Sequence, residues 1–500
     1  MTVQSSKPAV LPEVQAFLDG SHGLFIDGRF RPATEGGTLD VLDPATGEQI
    51  ATVAAATAAD IDAAVAAARA AQPKWAATAP NAKADLLWRL GDALEHRAEE
   101  FGQLESLDNG KPIGESAALD VPLCASLFKY YAGWVTKLEG ETMTPAGGMD
   151  MHVYTRREPV GVVGAIIPWN FPLLMCGYKL GPALAAGNAV VLKPAEQTPL
   201  SALRLAALMT EIGFPPGVVN VVTGDGPDAG APLAAHRDVD KIAFTGENAT
   251  GAKIIEASAG NMKKLTLELG GKSPSLVFED ADLDAAVEGT FGAVYFNQGQ
   301  CCIAGARVFV HASIRYEFVA KLADRVRAVR LGPGLAEGTT MGPLVSAEQR
   351  DRVNRLIASG LEQGATAVVG GAAVDDPELT DGFYVRPTLF TDVTRDMTIM
   401  RQEIFGPVAM VSTFDTEEEA IALANDTAFG LASGIWTRDV KRAHRVAAAI
   451  KAGVVWVNTY GMFDVAIPYG GFRASGYGKE LGREALEPYL QTKTVWIDLS

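Results

Sequence analysis

The stretch PVGVVGAII, residues 159–167, is a short and almost wholly apolar run of the kind that forms a buried strand. Similar runs follow it before residue 271, and a helical pattern separates each from the next. Strands that alternate with helices in this way predict an α/β fold with a doubly wound, mostly parallel sheet. The further runs are NAVVLK (188–193), GVVNVV (217–222), KIAF (241–244) and KLTLEL (264–269).

Capping residues mark the helices between these strands. We expect one helix to have Thr198 as its N-cap, Pro199 as its first residue and Gly213 just past its end. A second α/β half is expected over residues 271–480, where a helical pattern from Asp282 to Phe296 precedes strands such as RVFVHA and VVWVN. The other helices of the first half are expected to end at Ala186, to lie around 227–235 and to begin at about 250.

Polar and glycine residues collect where these strands end. Sheets of this class bind ligands beyond the carboxyl ends of their strands, where loops meet helix N-termini. Ordinary polar loops would explain the glycines but not an ordered set of an amide, a lysine and several carboxylates, so this edge is the expected ligand site. The groups are Pro168-Trp169-Asn170, Lys193 to Glu196, Thr223-Gly224, Thr245-Gly246-Glu247 and Glu268 to Gly271.

The composition argues against nucleic acid and membrane surfaces as partners. The chain has 500 residues and a formal net charge of −17. That charge repels phosphate backbones and anionic lipids, and no apolar run reaches the roughly 18 residues of a membrane span. Residues 1–20 show no secretory signal pattern, so we expect a cytoplasmic protein of two or three domains.

The stretch NQGQCC, residues 297–302, contains two of the four cysteines, Cys301 and Cys302. So few cysteines exclude a disulfide framework, and the spacing typical of a metal site is absent. If the segment is extended, the two side chains point in opposite directions and at most one faces a given pocket. Burial as a small hydrophobic residue is the alternative for either cysteine.

Glu268 lies in KLTLEL on the strand face opposite the leucines. A single carboxylate on a strand is commonly a solvated surface residue. Its place at the expected ligand edge favours a functional role, as does the following Gly270-Gly271, which allows other backbone to approach closely.

Seven motifs together carry a resemblance to a known family. They lie in the family's order and spacing along nearly the whole chain, which resembles the NAD(P)-dependent aldehyde dehydrogenase superfamily. The motifs are PWNFP (168–172), KPAEQTPL (193–200), FTGENATG (244–251), LELGGKSP (267–274), FNQGQCC (296–302), QEIFGPV (402–408) and PYGGFRASGYGKELG (468–482).

The resemblance implies an aldehyde dehydrogenase fold with two α/β domains and a small β element for oligomerisation. Residues 1–135 and 159–270 would form the NAD-binding domain and residues 271–480 the catalytic domain, with 136–158 and 481–500 as the oligomerisation arm. The tail QTKTVWIDL alternates like a strand and has no partner in its own neighbourhood. We therefore expect it to pair with another subunit in a homo-oligomer, a dimer or tetramer.

The resemblance also assigns the catalytic residues. In the pattern Gly-Gln-x-Cys the last residue is the nucleophile, here Cys302, which forms a thiohemiacetal and then a thioester with the aldehyde. The side-chain amide of Asn170 and the backbone N–H of Cys302 would hold the oxyanion. Glu268 would activate the water that hydrolyses the thioester, and Lys179 with Glu480 would form a proton outlet.

For the cofactor, the resemblance implies NAD, with NADP as the alternative. Thr245-Gly246 at a helix start replaces the usual Gly-x-Gly-x-x-Gly turn at the pyrophosphate. Lys193 and Glu196 would hold the adenine ribose, and Glu196 would repel the 2′-phosphate of NADP. The full set is Trp169, Lys193, Glu196, Gly226, Thr245, Gly246, Glu247, Gly251, Leu269, Glu403 and Phe405, of which the last two would position the nicotinamide ribose.

The chain departs from the family at two positions. Many members have serine where this chain has Glu247, an anion beside the expected pyrophosphate. Either this side chain turns outward or the affinity for the cofactor is reduced. Gln402 stands where a second glutamate is common, whereas Glu403 is retained.

Apolar and aromatic residues would line the substrate tunnel, although core packing is the alternative for each. SHGLFIDGRF and MFDVAIPYGG also resemble phenylacetaldehyde dehydrogenases, which favours an aryl or arylalkyl aldehyde over a medium-chain aliphatic one. Glu268 disfavours transfer of the thioester to coenzyme A, and the intact set of Cys302, Glu268 and Asn170 disfavours a catalytically silent binding protein. The lining residues are Phe171, Met175, Tyr178, Phe296, Ile303, Phe463 and Tyr469.

Overall fold

An eight-stranded sheet forms the first half of the protein in a computed structural model that describes residues 10–500. Its five central strands are parallel, as the apolar runs predict, and lie in the doubly wound order. Short antiparallel strands extend both edges. From one edge to the other the strands are Gly476–Tyr477, Lys264–Glu268, Lys241–Thr245, Val162–Ile166, Ala189–Lys193, Val219–Val221, Leu24–Ile26 and Arg29–Arg31.

The strand order reverses between Val162–Ile166 and Lys241–Thr245, which are neighbours in space but not in the chain. A crevice forms at such a switch point, because the chain leaves the two strands towards opposite faces of the sheet. The helices that connect or cover these strands are Pro12–Leu18, Ala58–Ala77, Pro80–His96, Ala98–Asn109, Ile113–Glu115, Val121–Ala132, Pro172–Ala185, Leu200–Ile212, Ala231–Ala235 and Asn248–Ser258, with π-helical turns at Ser116–Asp120 and Gly226–Gly230.

The N-cap expected at Thr198 is wrong. The helix begins at Leu200 and Pro199 occupies the cap position, because the Thr198 N–H bonds the Ala195 carbonyl in a preceding turn. The amide of Leu200 instead donates to a carboxylate oxygen of Asp108 at 3.1 Å. The cap thus comes from 92 residues away in the sequence, where no local pattern could reveal it.

A seven-stranded sheet forms the second half, and six of its strands are parallel. Its strands are, in spatial order, Thr366–Val369, Thr388–Thr391, Val408–Phe414, Arg307–His311, Pro274–Val277, Ala432–Trp436 and Val454–Val457. Its helices are Leu283–Tyr295, Arg315–Arg327, Ala347–Glu362, Thr398–Arg401, Glu417–Asn425 and Val440–Ala449, with 3₁₀ turns at Phe296–Gly299 and Ala312–Ile314. Two further 3₁₀ turns, Arg473–Ser475 and Glu484–Tyr489, follow the last strand of this sheet along the chain.

The C-terminal strand Leu490–Asp498 pairs within its own chain, although the sequence offers no partner in its neighbourhood and pairing with another subunit is expected. It pairs antiparallel with Met151–Pro159 across nine residue pairs, and Thr142–Met143 completes this sheet. The outer edge of Leu490–Asp498 has no partner among residues 10–500. A separate hairpin joins Thr38–Leu42 to Gln49–Ala54.

Across residues 10–500, no helix combines the length and the apolar character needed to cross a bilayer.

Candidate active site

A left-handed turn brings the cysteine pair to the crevice. After the helix Leu283–Tyr295, Asn297, Gln298 and Gly299 all have positive φ angles, of 48°, 56° and 70°. A Cβ atom at Gly299 would collide with the carbonyl of Gly406, so only glycine fits there. Left-handed conformations at the other two positions cost about 1–3 kcal/mol each and persist only where surrounding contacts hold them.

Several hydrogen bonds hold this turn. The side-chain amide of Asn297 donates to the Asn170 carbonyl at 2.8 Å, and the backbone N–H of Asn297 donates to the Glu115 carboxylate at 3.1 Å. The Asn170 amide nitrogen in turn donates to the Gln300 carbonyl at 3.0 Å. Asn170 is therefore fixed against the segment that leads into Cys302.

The segment of the two cysteines is a turn, so the extended chain that would point their side chains in opposite directions is absent from residues 301–302. The Ala304 N–H bonds the Cys301 carbonyl at 2.9 Å, and the Cys301 thiol donates a hydrogen bond to the sulfur of Cys302. The Tyr469 hydroxyl lies 3.3 Å from the same sulfur. Both contacts hold the pKa of Cys302 below the ordinary thiol value, the Cys301 contact more strongly.

Glu268 ends the strand Lys264–Glu268 and is buried, and neither carboxylate oxygen has a hydrogen-bond partner among residues 10–500. Burial raises the pKa of Glu268 well above its usual range; the nearby Glu480 raises it further, and Lys179 opposes this. The close approach expected at the glycine pair is present, since a Cβ atom at Gly271 would meet the Cys302 carbonyl. The end of the strand that carries Glu268 thus lies against the segment that carries Cys302, and the two side chains interact electrostatically.

Lys179 and Glu480 form a buried ion pair with 2.5 Å between Nζ and Oε1. Lys179 lies on the helix Pro172–Ala185, whereas Glu480 pairs through its backbone with Tyr469. The structure therefore brings together the two residues expected at the proton outlet, beside Glu268.

The expected ribose residues lie at the end of the second parallel strand. The ammonium group of Lys193 is 3.2 Å from a carboxylate oxygen of Glu196, which is partly exposed. Gly226 opens the turn after the next strand and has no close neighbour, whereas Gly230 lies beside the Lys193 side chain. Gly230 is thus the nearer glycine to this group.

Thr245, Gly246 and Glu247 lead from a parallel strand into the helix Asn248–Ser258. The Thr245 hydroxyl is buried and has no hydrogen-bond partner within the described residues, and it lies shortly before the N–H groups that begin this helix. Such an end of a helix binds anions, so the arrangement fits a pyrophosphate. The side chain of Glu247, at the N-cap position, is exposed.

The remaining cofactor candidates surround this crevice. Glu403 accepts a hydrogen bond from the Gly271 N–H at 2.8 Å, and burial raises the pKa of Glu403 to about 7. The rings of Trp169 and Phe405 meet edge to face with centroids 5.2 Å apart. Gly251 and Leu269 do not reach towards the other groups but pack on each other between helix and sheet.

Most of the residues expected to line the aldehyde tunnel belong to one apolar cluster, against which Cys302 packs. The rings of Phe171 and Phe296 stack with centroids 6.1 Å apart, and those of Phe463 and Tyr469 lie 5.5 Å apart. The buried ammonium of Lys111 lies 4.4 Å from the centre of the Phe171 ring. Met175, Tyr178 and Ile303 are buried in the same apolar cluster.

The sequence did not indicate the groups that contact the thiol or hold the turn before it. Tyr469 is expected only as a lining residue, Cys301 as a neighbour facing away and Glu115 not at all. The contact of Tyr469 with Cys302 spans 167 residues of the chain, and that of Glu115 with Asn297 spans 182, so no local sequence pattern indicates either contact. The one signal in the sequence for a role of Tyr469 was its place in a motif directly before two glycines.

Comparisons with known proteins agree with this geometry. The model of the aldehyde dehydrogenase family matches residues 30–495. A mitochondrial benzaldehyde dehydrogenase of Antirrhinum majus is 48% identical over 475 residues, covering 94% of this chain and 88% of the relative. An aldehyde dehydrogenase from Bacillus cereus solved as an NAD+ complex is 47% identical with a TM-score of 0.96, covering 99% of this chain and 100% of that chain.

An indole-3-acetaldehyde dehydrogenase, AldA of P. syringae, was solved in complex with NAD+ and IAA. It is 42% identical with a TM-score of 0.94, covering 97% of this chain and 98% of that chain. Family model, relatives and solved structures therefore agree over almost the full length, and this chain belongs to the aldehyde dehydrogenase family of oxidoreductases.

Proposed function

We propose that the protein oxidises aryl or arylalkyl aldehydes, such as phenylacetaldehyde, to carboxylic acids with NAD and with Cys302 as the nucleophile. The observation that carries this proposal is the contact of Tyr469 with Cys302. One side chain both activates the thiol with its hydroxyl and continues, through its ring, the aromatic surface formed with Phe463.

The thiolate of Cys302 adds to the aldehyde carbon and gives a tetrahedral thiohemiacetal. Its oxyanion is held by the Cys302 backbone N–H and by Asn170. The Asn170 amide group has two N–H donors, of which one is engaged with the Gln300 carbonyl and the other remains for the oxyanion. Loss of one such donor typically slows a reaction by about 10²- to 10³-fold.

Bound NAD supplies the hydride acceptor. Thr245, Gly246 and the N–H groups of the helix Asn248–Ser258 hold its pyrophosphate, and Lys193 and Glu196 hold the adenine ribose. Glu403 and Phe405, beside Trp169, position the nicotinamide ribose. The Glu196 carboxylate accepts from a 2′-hydroxyl and repels a 2′-phosphate, so NAD is preferred to NADP.

Glu268 then removes a proton from the water that hydrolyses the thioester. Its raised pKa suits a general base, because a stronger base takes the proton from water more readily. The buried pair of Lys179 and Glu480 beside it carries that proton onward.

Aromatic rings among the expected lining residues support this substrate class. Phe171, Phe296, Phe463 and Tyr469 offer faces and edges on which an aryl group stacks, worth about 0.5–1.5 kcal/mol per ring pair beyond burial. The relatives named for benzaldehyde and indole-3-acetaldehyde act on aromatic aldehydes and support this class. Met175 and Ile303 give the same surface an aliphatic part, which favours medium-chain aliphatic aldehydes as the second candidate.

NADH formation with phenylacetaldehyde, hexanal and acetaldehyde tests the substrate class through the ratios of kcat/KM. A preference of about tenfold or more for phenylacetaldehyde, about 1.4 kcal/mol, is expected. Phe463→Leu should reduce that preference, whereas Phe472→Leu, at an exposed ring outside this surface, should preserve it. Equal rates with hexanal would assign the enzyme to aliphatic aldehydes instead.

The same proposal includes a homo-oligomer, a dimer or tetramer, in the cytoplasm. The open edge of Leu490–Asp498 suits pairing with a second copy, since an unpaired strand edge exposes backbone donors and acceptors. Four free cysteines suit a reducing compartment. Light scattering should give a multiple of the 52.7 kDa chain mass; a monomer would contradict this part.

A further inference from the structure

Lys241 is a fully buried lysine that the mechanism above does not use. It begins the strand Lys241–Thr245, and its ammonium nitrogen donates to the hydroxyl oxygen of Thr266 at 2.8 Å. Among residues 10–500 no carboxylate forms an ion pair with it. A buried ammonium without an anionic partner is costly, so a purely structural role would favour a neutral side chain at this position.

Lys241 lies on the same side of the sheet as the catalytic base. Thr266 and Glu268 are two residues apart in one strand, so their side chains share a face. The Lys241 nitrogen also lies 4.8 Å from the centre of the Tyr489 ring. Lys241 therefore extends the buried polar cluster of Glu268 and Glu480 towards the beginning of the strand.

Four buried oxygen atoms in this cluster have no hydrogen-bond partner in the part of the chain that the structure describes. They are both carboxylate oxygens of Glu268, Oε2 of Glu480 and the Tyr489 hydroxyl. Buried polar atoms are almost always hydrogen-bonded, and ordered water satisfies those that protein groups do not reach. The cluster thus has the donors and acceptors for a chain of water molecules from the base to Lys241.

The charges around Lys241 suit exchange of a proton. Burial lowers the pKa of Lys241 to about 7; Glu480 raises this pKa, whereas Lys179 and Lys264 lower it further. Lys264 is the residue paired with Lys241 in the neighbouring strand, and it is exposed. Lys241 is thus one strand away from a group in contact with solvent.

We propose that Lys241 is a positioning residue for thioester hydrolysis that acts through Glu480. Glu268 removes a proton from the attacking water, and this proton passes through Glu480 and water to the neutral amine of Lys241. Hydrolysis forms a C–O bond and breaks the C–S bond of the thioester. Of the two protons released by water and by the new carboxylic acid, one returns to the Cys302 sulfur and one must leave. Lys241 holds that second proton until it passes to solvent.

This inference rests on the proposed function, and transient kinetics separates the two. In the variant Lys241→Met the formation of the thioester is expected to be unchanged, seen as a burst of one NADH per active site. The steady rate that follows should fall by about tenfold or more, and its pH profile should lose the step near pH 7. Absence of NADH formation in the wild-type protein would instead reject the proposed function.

Lys241→Arg distinguishes proton exchange from charge alone. Arginine keeps the positive charge but does not release its proton, so this variant should be as slow as Lys241→Met. The matched control is Lys263→Met. The pKa of Lys263 is also lowered by burial, to about 8, but its ammonium bonds the Ala234 and His236 carbonyls and does not face Glu480. This control should keep the wild-type rate and pH profile.

Two results would overturn the inference. One is a wild-type steady rate and pH profile in Lys241→Met, and the other is full recovery in Lys241→Arg. If neither lysine variant folds, Thr266→Val removes the hydroxyl that holds the amine with little change of shape, and it is examined by the same burst and pH profile. An unchanged profile in Thr266→Val would then reject the role.

Discussion

The hydroxyl oxygen of Tyr469 lies 3.3 Å from the sulfur of Cys302, although 167 residues separate them in the chain. The same tyrosine is bonded through its backbone N–H and carbonyl to Glu480, at 2.7 and 2.8 Å. The position of the Tyr469 hydroxyl beside the Cys302 sulfur therefore depends on the segment that also carries Glu480, one of the two residues of the proton outlet.

Tyr469→Phe should raise the pKa of Cys302, because the thiolate loses one of its two donors. The higher pKa lowers the fraction of Cys302 that is thiolate near neutral pH. The rate of inactivation by iodoacetamide as a function of pH measures this. Tyr295→Phe is the control, since it also removes a buried hydroxyl, here bonded to the Thr388 carbonyl, away from the site. Coincident pH profiles for Tyr469→Phe and the wild-type protein would contradict the assigned contact.

Cys302→Ala should abolish turnover and preserve NAD binding, which fluorescence titration measures. Cys301→Ala removes the other donor to the Cys302 sulfur, so activity near neutral pH should fall severalfold and recover as the pH is raised. Turnover that survives in Cys302→Ala but not in Cys301→Ala would move the nucleophile by one residue.

Glu196→Ser should change the choice of cofactor. Removing the carboxylate beside Lys193 removes the repulsion of a 2′-phosphate, so the ratio of kcat/KM for NADP to that for NAD should rise about tenfold or more. Glu247→Ser is the matched control, because it removes an exposed carboxylate near the expected pyrophosphate. That variant should leave the ratio unchanged, and equal ratios in both variants would refute the role of Glu196.

Glu115→Gln should make the protein more stable at alkaline pH. Burial raises the pKa of Glu115 to about 7, so between its unfolded pKa and that value the folded state holds a proton that the unfolded state has lost. The free energy of unfolding therefore falls as pH rises through this window. The variant should gain about 1–2 kcal/mol at about pH 8, allowing for solvent screening, and almost nothing at about pH 5.

Urea unfolding at these two pH values measures the effect of Glu115→Gln. Glutamine can still accept the hydrogen bond of the Asn297 N–H, so the turn should keep its shape. Glu362→Gln, at an exposed position, should follow the wild-type protein at both values. A gain that is equal at the two pH values would show that Glu115 does not hold its proton in the folded state.

The parallel strands and the residues at their carboxyl ends were predictable from the sequence, because apolar runs and ends of strands are local features. Lys193, Thr245 and Glu268 each follow directly from such a run. The Asp108 cap on Leu200 was not predictable, since it depends on a contact across 92 residues. Nor was the left-handed conformation of Gln298, which its residue type disfavours and only the surrounding contacts hold in place.

Glu268 belongs to one sheet, whereas Cys302 precedes a strand of the other. The backbone at Gly271 lies close to the backbone carbonyl of Cys302. The distance between the base and the thiol therefore depends on how the two halves of the molecule dock, and neither half alone carries both groups. Mild denaturant that loosens this docking should extinguish thioester hydrolysis while circular dichroism still reports intact helices and strands. The enzymatic activity of this protein therefore reports sensitively on how its two halves pack against each other.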